Sequence, residues 1–256
     1  MRIVKFQTEN LAPQFGWVLD DQVGLIEGDI FGVFQRDEAI TPLEDVKLLA
    51  PIRPSKIICV GRNYIAHAQE HGAEVPEVPL LFLKPPSSII AMNETIYIPP
   101  QSDQVEHEAE LVVVIGRQGR WITPEDASKH IFGYTIANDV TARDLQMRDD
   151  QWTRAKGFDT FCPLGPWIET EFNPADAHIT CRVNQEMRQM ASTRDMVFSI
   201  NQLIAFASSI MTLIPGDILL TGTPAGVSPL SPGDNVEVEI EGIGALQNPV
   251  SVEPER

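Results

Sequence analysis

A chain of 256 residues, 43% hydrophobic and 21% charged, has the composition of an ordinary folded protein with a sizeable core. Its 36 Asp and Glu against 19 Lys and Arg give a formal charge of -17, which disfavours nucleic acid and anionic membranes as partners. A small anionic ligand stays compatible, because a bound cation and a few basic groups invert the field inside one cleft.

In chain order, RIVKFQ, FGWVLDD and QVGLIEG read as short strands, the last two joined by an acidic hairpin turn. Pro42, Pro51 and Pro54 bracket LEDVKLLA and mark a linker, so residues 1–52 are expected to form a small N-terminal β domain and 53–256 the main one. KIICVG at 56–61 predicts a buried strand; RNYIAHAQEHG after it predicts a short helix or lid ending at Gly72. Residues 73–103 are proline-rich and extended. ELVVVIG is a core strand, TPEDASKHIFG reads as a helix starting at Thr123 or Pro124, and YTIANDV is a further strand. HITCRVN, a helix from about Ser199 to Leu213, ILLTG, NVEVEIEGIG and LQNPVSVE complete the pattern. Strands outnumber helices without alternating regularly with them, so the fold class is mainly β with some helices rather than a doubly wound sheet.

The run VEHEAELVVVIG from Val105 to Gly116 carries the chemistry. A strand repeats every two residues, so Glu108 and Glu110 point to one side, and two adjacent carboxylates repel unless a positive charge sits between them. As solvated edge-strand groups they need no ion. At the mouth of an apolar strand, a hard divalent cation satisfies them, and Asp139 at the end of another apolar stretch completes an oxygen-only set suited to magnesium, manganese or calcium. A zinc protease reading of HEAE fails, because HExxH needs a second His where Leu111 stands; His107 is expected to be structural. Cys59, Cys162 and Cys181 form no CxxC pair and read as free thiols. No segment approaches the roughly 20 apolar residues of a bilayer span, and MRIVKFQTEN has no apolar region behind it, so the cytoplasm is the expected location.

Taken together, GRNYIAHAQEHG, FLKPPSS, HEAELVVVIG, GYTIANDVTARDLQ, WTRAKGFDTFCPLGP and LIPGDILLTGTPAGV strongly resemble the fumarylacetoacetate hydrolase family, in the family's order over about residues 55–250. The resemblance implies a β-rich roll or barrel around an internal site, a small N-terminal domain, homodimers, and a magnesium or manganese ion on Glu108, Glu110 and Asp139. It matches His67 and Glu70 to a dyad that holds and deprotonates water in part of the family, which suits an imidazole base oriented by a carboxylate. His71 has no motif match and reads as a surface residue. Lys156 matches an active-site lysine that pairs with a substrate carboxylate or an enolate oxygen. Arg143 and Gln146 match substrate-contacting positions, with Asp144 a competing partner for Arg143 or Arg154. Thr223 in GTPAGV is placed to donate its hydroxyl to a substrate carboxylate, and Arg62, Asn63 and Tyr64 are expected to shape the loop beneath the lid.

The activity implied is divalent-metal-dependent cleavage of a small 2-oxo acid, by acylpyruvate hydrolysis or oxaloacetate decarboxylation through a pyruvate enolate. The same groups suit an isomerase or tautomerase of 2-hydroxyhepta-2,4-diene-1,7-dioate or oxaloacetate type. An inactive binding protein is the third reading, and the presence of Glu108, Glu110 and Asp139 weighs against it.

Overall fold

A computed structural model describes residues 1–9, 12–70 and 72–254; His71 lies outside them. The expected β-dominated class is observed. A large sheet runs from Phe34–Arg36 through Gln22–Gly28, Gln14–Leu19, Arg2–Gln7, Cys162–Glu169, Ile131–Asn138, Ala109–Ile115, Ile218–Leu220 and Ile57–Gly61 to Leu80–Lys84. Past Lys84 the chain turns through Pro86–Ser88 into Ile89–Ile90, which pairs in parallel with Cys162–Glu169. The path therefore curls back on itself as a roll. A second sheet of five strands, Ile96–Ile98, Gly244–Val252, Asn235–Ile240, His178–Val183 and Glu186–Ser192, packs against it.

Strand Ala109–Ile115 is buried along its whole length, and its period of two divides the core. Leu111, Val113 and Ile115 join Ile179, Val238 and Leu246 of the second sheet, whereas Val112 and Val114 join Ile3, Ile57, Leu164 and Ile218 on the other side. A strand covered on both faces reads as a continuous apolar run, which is the character of LVVVI. The strands expected in the first residues form, and Asp20 and Asp21 take the left-handed conformations (φ 48 and 59) that a tight hairpin turn requires.

The helices are short: α1 is Ile65–Glu70, α2 Arg143–Arg148, α3 Thr153–Lys156 and α4 Ile200–Ile210. Ser199 caps α4 in a reciprocal box with Gln202, so the start expected there is met, while the end falls short of Leu213 because the Leu213 backbone pairs with Gly119. The helix expected over 123–133 is absent; only a 3-10 turn, Ala127–His130, forms. Backbone bonds from Trp121 to Ser208 and between Gly119 and Leu213 draw 119–122 out along the end of α4, and Ile131 is already in the sheet. Among the described residues no helix is long and apolar enough to cross a membrane, and all three cysteines are buried free thiols.

Asn63 ties the loops around the site together. Its amide donates to the carbonyls of Phe198 (3.1 Å) and Thr221 (2.8 Å) and accepts from the Phe198 N–H (2.7 Å), in full burial. Replacing it leaves buried peptide groups without partners. Asn63→Ala is expected to lower unfolding free energy by about 2–4 kcal/mol, read as a reduced urea midpoint; an unchanged midpoint contradicts this role.

Candidate metal centre and its cavity

Strand register assembles the acidic cluster. Ala109 faces Asn138 and Glu110 faces Ala137 across the antiparallel pair, so Asp139 follows directly opposite Glu108. The Asp139 N–H donates to the Glu108 carbonyl (2.8 Å), and the Asn138 side chain accepts from the Glu108 N–H (2.9 Å). On the other flank, Ile218–Leu220 pairs with the same strand and delivers Gly222, whose N–H donates to Glu110 Oε2 (2.6 Å). Gly222 has φ +96, and a Cβ there would lie 2.7 Å from the Asn63 side chain, so glycine alone fits the approach. The ligand atoms of Glu108, Glu110 and Asp139 fall within 4.8 Å of one another, and all three residues are buried.

Buried cations surround the cluster. Lys156 Nζ reaches Glu108 Oε2 and Asp139 Oδ2, both at 2.7 Å, and Lys84 Nζ reaches Asp139 Oδ1 at 2.6 Å. Arg143 donates from Nε to Glu106 Oε2 (2.7 Å), from one terminal nitrogen to Glu108 Oε1 (2.6 Å) and from the other to Gln146. Burial alone would raise the Glu108 carboxyl, but Lys156 and Arg143 outweigh it and hold the group well below the usual carboxylate range. Burial also opposes the charge on Lys156, yet Asp139 and Glu108 hold its ammonium above its ordinary value. Glu110 differs: burial, then the charges of Asp139 and Glu108, push its carboxyl well up. That is the electrostatic state of a cluster short of positive charge, and three convergent hard oxygens fit a divalent cation.

Glu108, Glu110, Asp139, Arg143, Gln146 and Lys156 line a cavity of about 310 Å³, together with Val60, Gly61, Arg62, His67, Phe82, Trp152 and Thr223. Of the residues singled out in the sequence, Glu108, Glu110, Asp139, His67, Lys156, Arg143, Gln146 and Thr223 all border it. Glu70 stands behind His67, with Oε2 3.4 Å from the imidazole Nδ1, and accepts from the Gly226 N–H at 3.1 and 3.2 Å. One glycine turn thus steadies both Glu110 and Glu70. Arg143 is not poised to grip a ligand with a vacant guanidinium, because the carboxylates buried beside it already engage its nitrogens. Asp144 holds neither arginine; it accepts from Ser102 Oγ (2.6 Å) and the Asp103 N–H (3.3 Å), and Arg154 pairs with Asp149.

His107 is structural, as expected. Its Nδ1 meets Gln189 Oε1 (3.0 Å) and its Nε2 meets Ser228 Oγ (2.9 Å), and burial lowers its proton affinity. The Gln189 oxygen also accepts from the Ala109 N–H, while its nitrogen donates to the Pro224 carbonyl and to Thr223 Oγ1 (2.8 Å). Because Thr223 Oγ1 accepts there, its own proton is available elsewhere. Sequence reasoning passed over Gln189, Lys84 and Glu106. Lys84 interrupts the apolar LLFL run, and Glu106 extends the period-two spacing of Glu108 and Glu110; both were detectable signals. Gln189 lies in a hairpin of mixed polarity and gave none.

The roll, the buried carboxylates and the enclosed cavity define a metal-assisted enzyme of the class that acts on small molecules. The chain belongs to the fumarylacetoacetate hydrolase family: the profile described as fumarylacetoacetate (FAA) hydrolase C-terminal matches residues 56–251, and one described as Rv2993c-like, N-terminal matches residues 1–51. It is 41% identical over 287 aligned positions to oxaloacetate tautomerase FAHD2B, mitochondrial, of Bos taurus, covering 98% of this chain and 91% of that protein. The crystal structure of 2-hydroxyhepta-2,4-diene-1,7-dioate isomerase from Mycobacterium marinum is 41% identical, with a TM-score of 0.92 over 100% of both chains. Maleylpyruvate hydrolase from Sphingobium sp. SYK-6, in complex with manganese (II) ion and pyruvate, is 31% identical with a TM-score of 0.82, over 99% of this chain and 100% of that one.

The two ends of the cluster predict opposite mutational behaviour. Glu110→Gln removes a charge that its surroundings disfavour, and is expected to leave metal-free stability within about 1 kcal/mol of wild type. Its manganese affinity should fall by at least about 100-fold. Asp139→Asn leaves Lys84 and Lys156 short of a partner and should cost about 3–5 kcal/mol. Calorimetric titration with manganese chloride and urea unfolding in EDTA check both; wild-type manganese affinity in Glu110→Gln removes that residue from the ligand set.

Proposed function

We propose that this enzyme moves a proton within a small 2-oxo acid, with keto-enol tautomerisation of oxaloacetate as its reaction. The observation that carries the reading is a His67–Glu70 pair beside the carboxylate cluster of one small cavity. The similarity to an oxaloacetate tautomerase over nearly the whole chain, and to a dienedioate isomerase, favours proton transfer over the bond cleavage expected from the sequence. A magnesium or manganese ion held by Glu108, Glu110 and Asp139 supplies Lewis-acid withdrawal of charge from the 2-oxo group.

The residues divide the remaining work. With its Nδ1 3.4 Å from Glu70 Oε2, the His67 imidazole is the base that takes the proton from C3 of the keto acid. As the C3–H bond breaks, its electron pair forms the C2–C3 double bond and negative charge builds on the 2-oxo oxygen. Lys156, kept protonated by its buried carboxylates, stabilises that charge and stands ready to donate the proton that completes the enol. Thr223 turns its hydroxyl proton toward the substrate carboxylate, and Arg143 and Gln146 hold the wall beside Glu108.

Cleavage is the second reading, favoured by the manganese and pyruvate bound in the related hydrolase. In acylpyruvate hydrolysis the same imidazole would activate water instead of taking a carbon-bound proton, whereas oxaloacetate decarboxylation needs no attacking water. Pairing of two chains forms part of the proposal, since Ile65 and Met190 are 54% and 70% exposed and border one groove of about 770 Å³. Sedimentation should give twice the mass of one chain.

With magnesium present, the purified protein should speed the ultraviolet change of keto-enol exchange of oxaloacetate and lose that activity in EDTA. His67→Ala is expected to lower kcat by about 10²- to 10⁴-fold while retaining manganese affinity. Stoichiometric pyruvate release without faster exchange would transfer the assignment to cleavage.

A further inference from the structure

Three cations border the cavity, and two are committed. Lys156 bridges Glu108 and Asp139; Arg143 spans Glu106, Glu108 and Gln146. Arg62 is half-buried in the same wall, and among the described residues no ion pair or hydrogen bond engages its guanidinium. In a chain of net charge -17, a partly desolvated arginine left without a carboxylate, beside two cations that are each bound to carboxylates, is conspicuous.

The backbone strengthens the point. Arg62 has φ +60, a left-handed conformation that glycine takes without strain and a side chain resists. It is held from both sides: a Cβ on Gly61 would meet the Trp152 ring at 2.9 Å, and Asn63 is bonded to Phe198 and Thr221. The fold thus keeps a long cationic side chain where glycine would fit more easily, and fixes its root at the rim of the cavity. The wall beside it is apolar, with Phe82 and Trp152 packed edge to face at 5.3 Å.

We propose that Arg62 is a specificity-determining residue that binds a second, distal carboxylate, so that the substrates are short dicarboxylic 2-oxo acids. The inference rests on the proposed reading that the 2-oxo acid end lies at the Glu108–Glu110–Asp139 cluster. With that end fixed, a carboxylate two or three carbons away meets a cation whose planar fork binds it bidentately. The methylene between the two ends lies against Phe82 and Trp152.

The test compares malate with lactate, two unreactive 2-hydroxy acids that differ in the distal carboxylate, by titration calorimetry on the magnesium-loaded protein. Wild type should bind malate about ten- to hundred-fold more tightly. Arg62→Met should abolish the preference while leaving lactate affinity unchanged, and Arg62→Lys, which keeps a cation on a similar stem, should retain part of it. Equal or undetectable binding of the two acids by wild type, or a preference that survives Arg62→Met, overturns the proposal. Oxaloacetate exchange measured in parallel separates the two questions, since a wild type that prefers malate but does not speed exchange refutes the reaction and not the role of Arg62.

Discussion

The structure depends on charges held out of water. Glu106, Glu108, Glu110 and Asp139 face Lys84, Arg143 and Lys156 in a region of almost no solvent exposure. Taking an ion out of water costs several kcal/mol even after relaxation, and mutual attraction offsets this only where geometry and hydrogen bonds are good. Here each cation meets more than one acceptor, and each carboxylate except Glu110 meets a cation. Glu110 is the exception: among the described residues no cation pairs with it directly, and the Gly222 N–H donates to it. An apolar cluster in its place would be as stable or more so, so the surrounding core must compensate. The six apolar residues of Ala109–Ile115, all buried and packed into two separate apolar clusters, do so.

The same scaffold couples the acidic cluster to the imidazole. The turn after Ile218–Leu220 offers its Gly222 N–H to Glu110 and its Gly226 N–H to Glu70, with Thr223 between them. A Cβ on Gly226 would fall 2.1 Å from the Arg188 carbonyl, so this turn admits no side chain there. Gln189 then holds Thr223, and His107 and the Ala109 N–H fix which end of the Gln189 amide faces it. The hydroxyl's direction is thereby set by backbone groups two steps away. Positions of groups meant to act together are shared through one short rigid segment rather than through independent loops.

Much of this was legible in the sequence because it rests on local periodicity. The Glu108–Glu110 spacing needs only the two-residue repeat of a strand, and the strands of the first residues follow from alternation and an Asp-Asp turn. The helix expected over 123–133 failed because its second half is drawn to the sheet: the His130 carbonyl accepts from the Gly116 and Arg117 N–H groups, and Ile131 already begins a strand. Arg143 was legible as a cavity residue but not as one already engaged, since its partner Glu106 becomes adjacent only through the Val105–Glu106 pairing with Thr141–Ala142. Gln189 was invisible for the same reason. Its role exists only where a hairpin of the second sheet meets the GTPAG turn.

Tautomerisation and cleavage share an early requirement: negative charge must build on the 2-oxo oxygen while a bond at C3 gives up its electron pair. The buried cluster and Lys156 answer that requirement without regard to which bond breaks. Whether a proton or an acyl group leaves C3 turns on whether a base reaches C3 itself or water reaches the carbon beyond it, while loss of carbon dioxide needs neither. On the proposed reading, the choice between proton and acyl group lies with His67 and with the groups that would fix the far end of the substrate, not with the carboxylates. On the proposed role of Arg62, an arginine clasping a distal carboxylate would also fix C3 relative to the imidazole, so this positive-φ residue at the end of Ile57–Gly61 would bear on reaction type as well as on substrate.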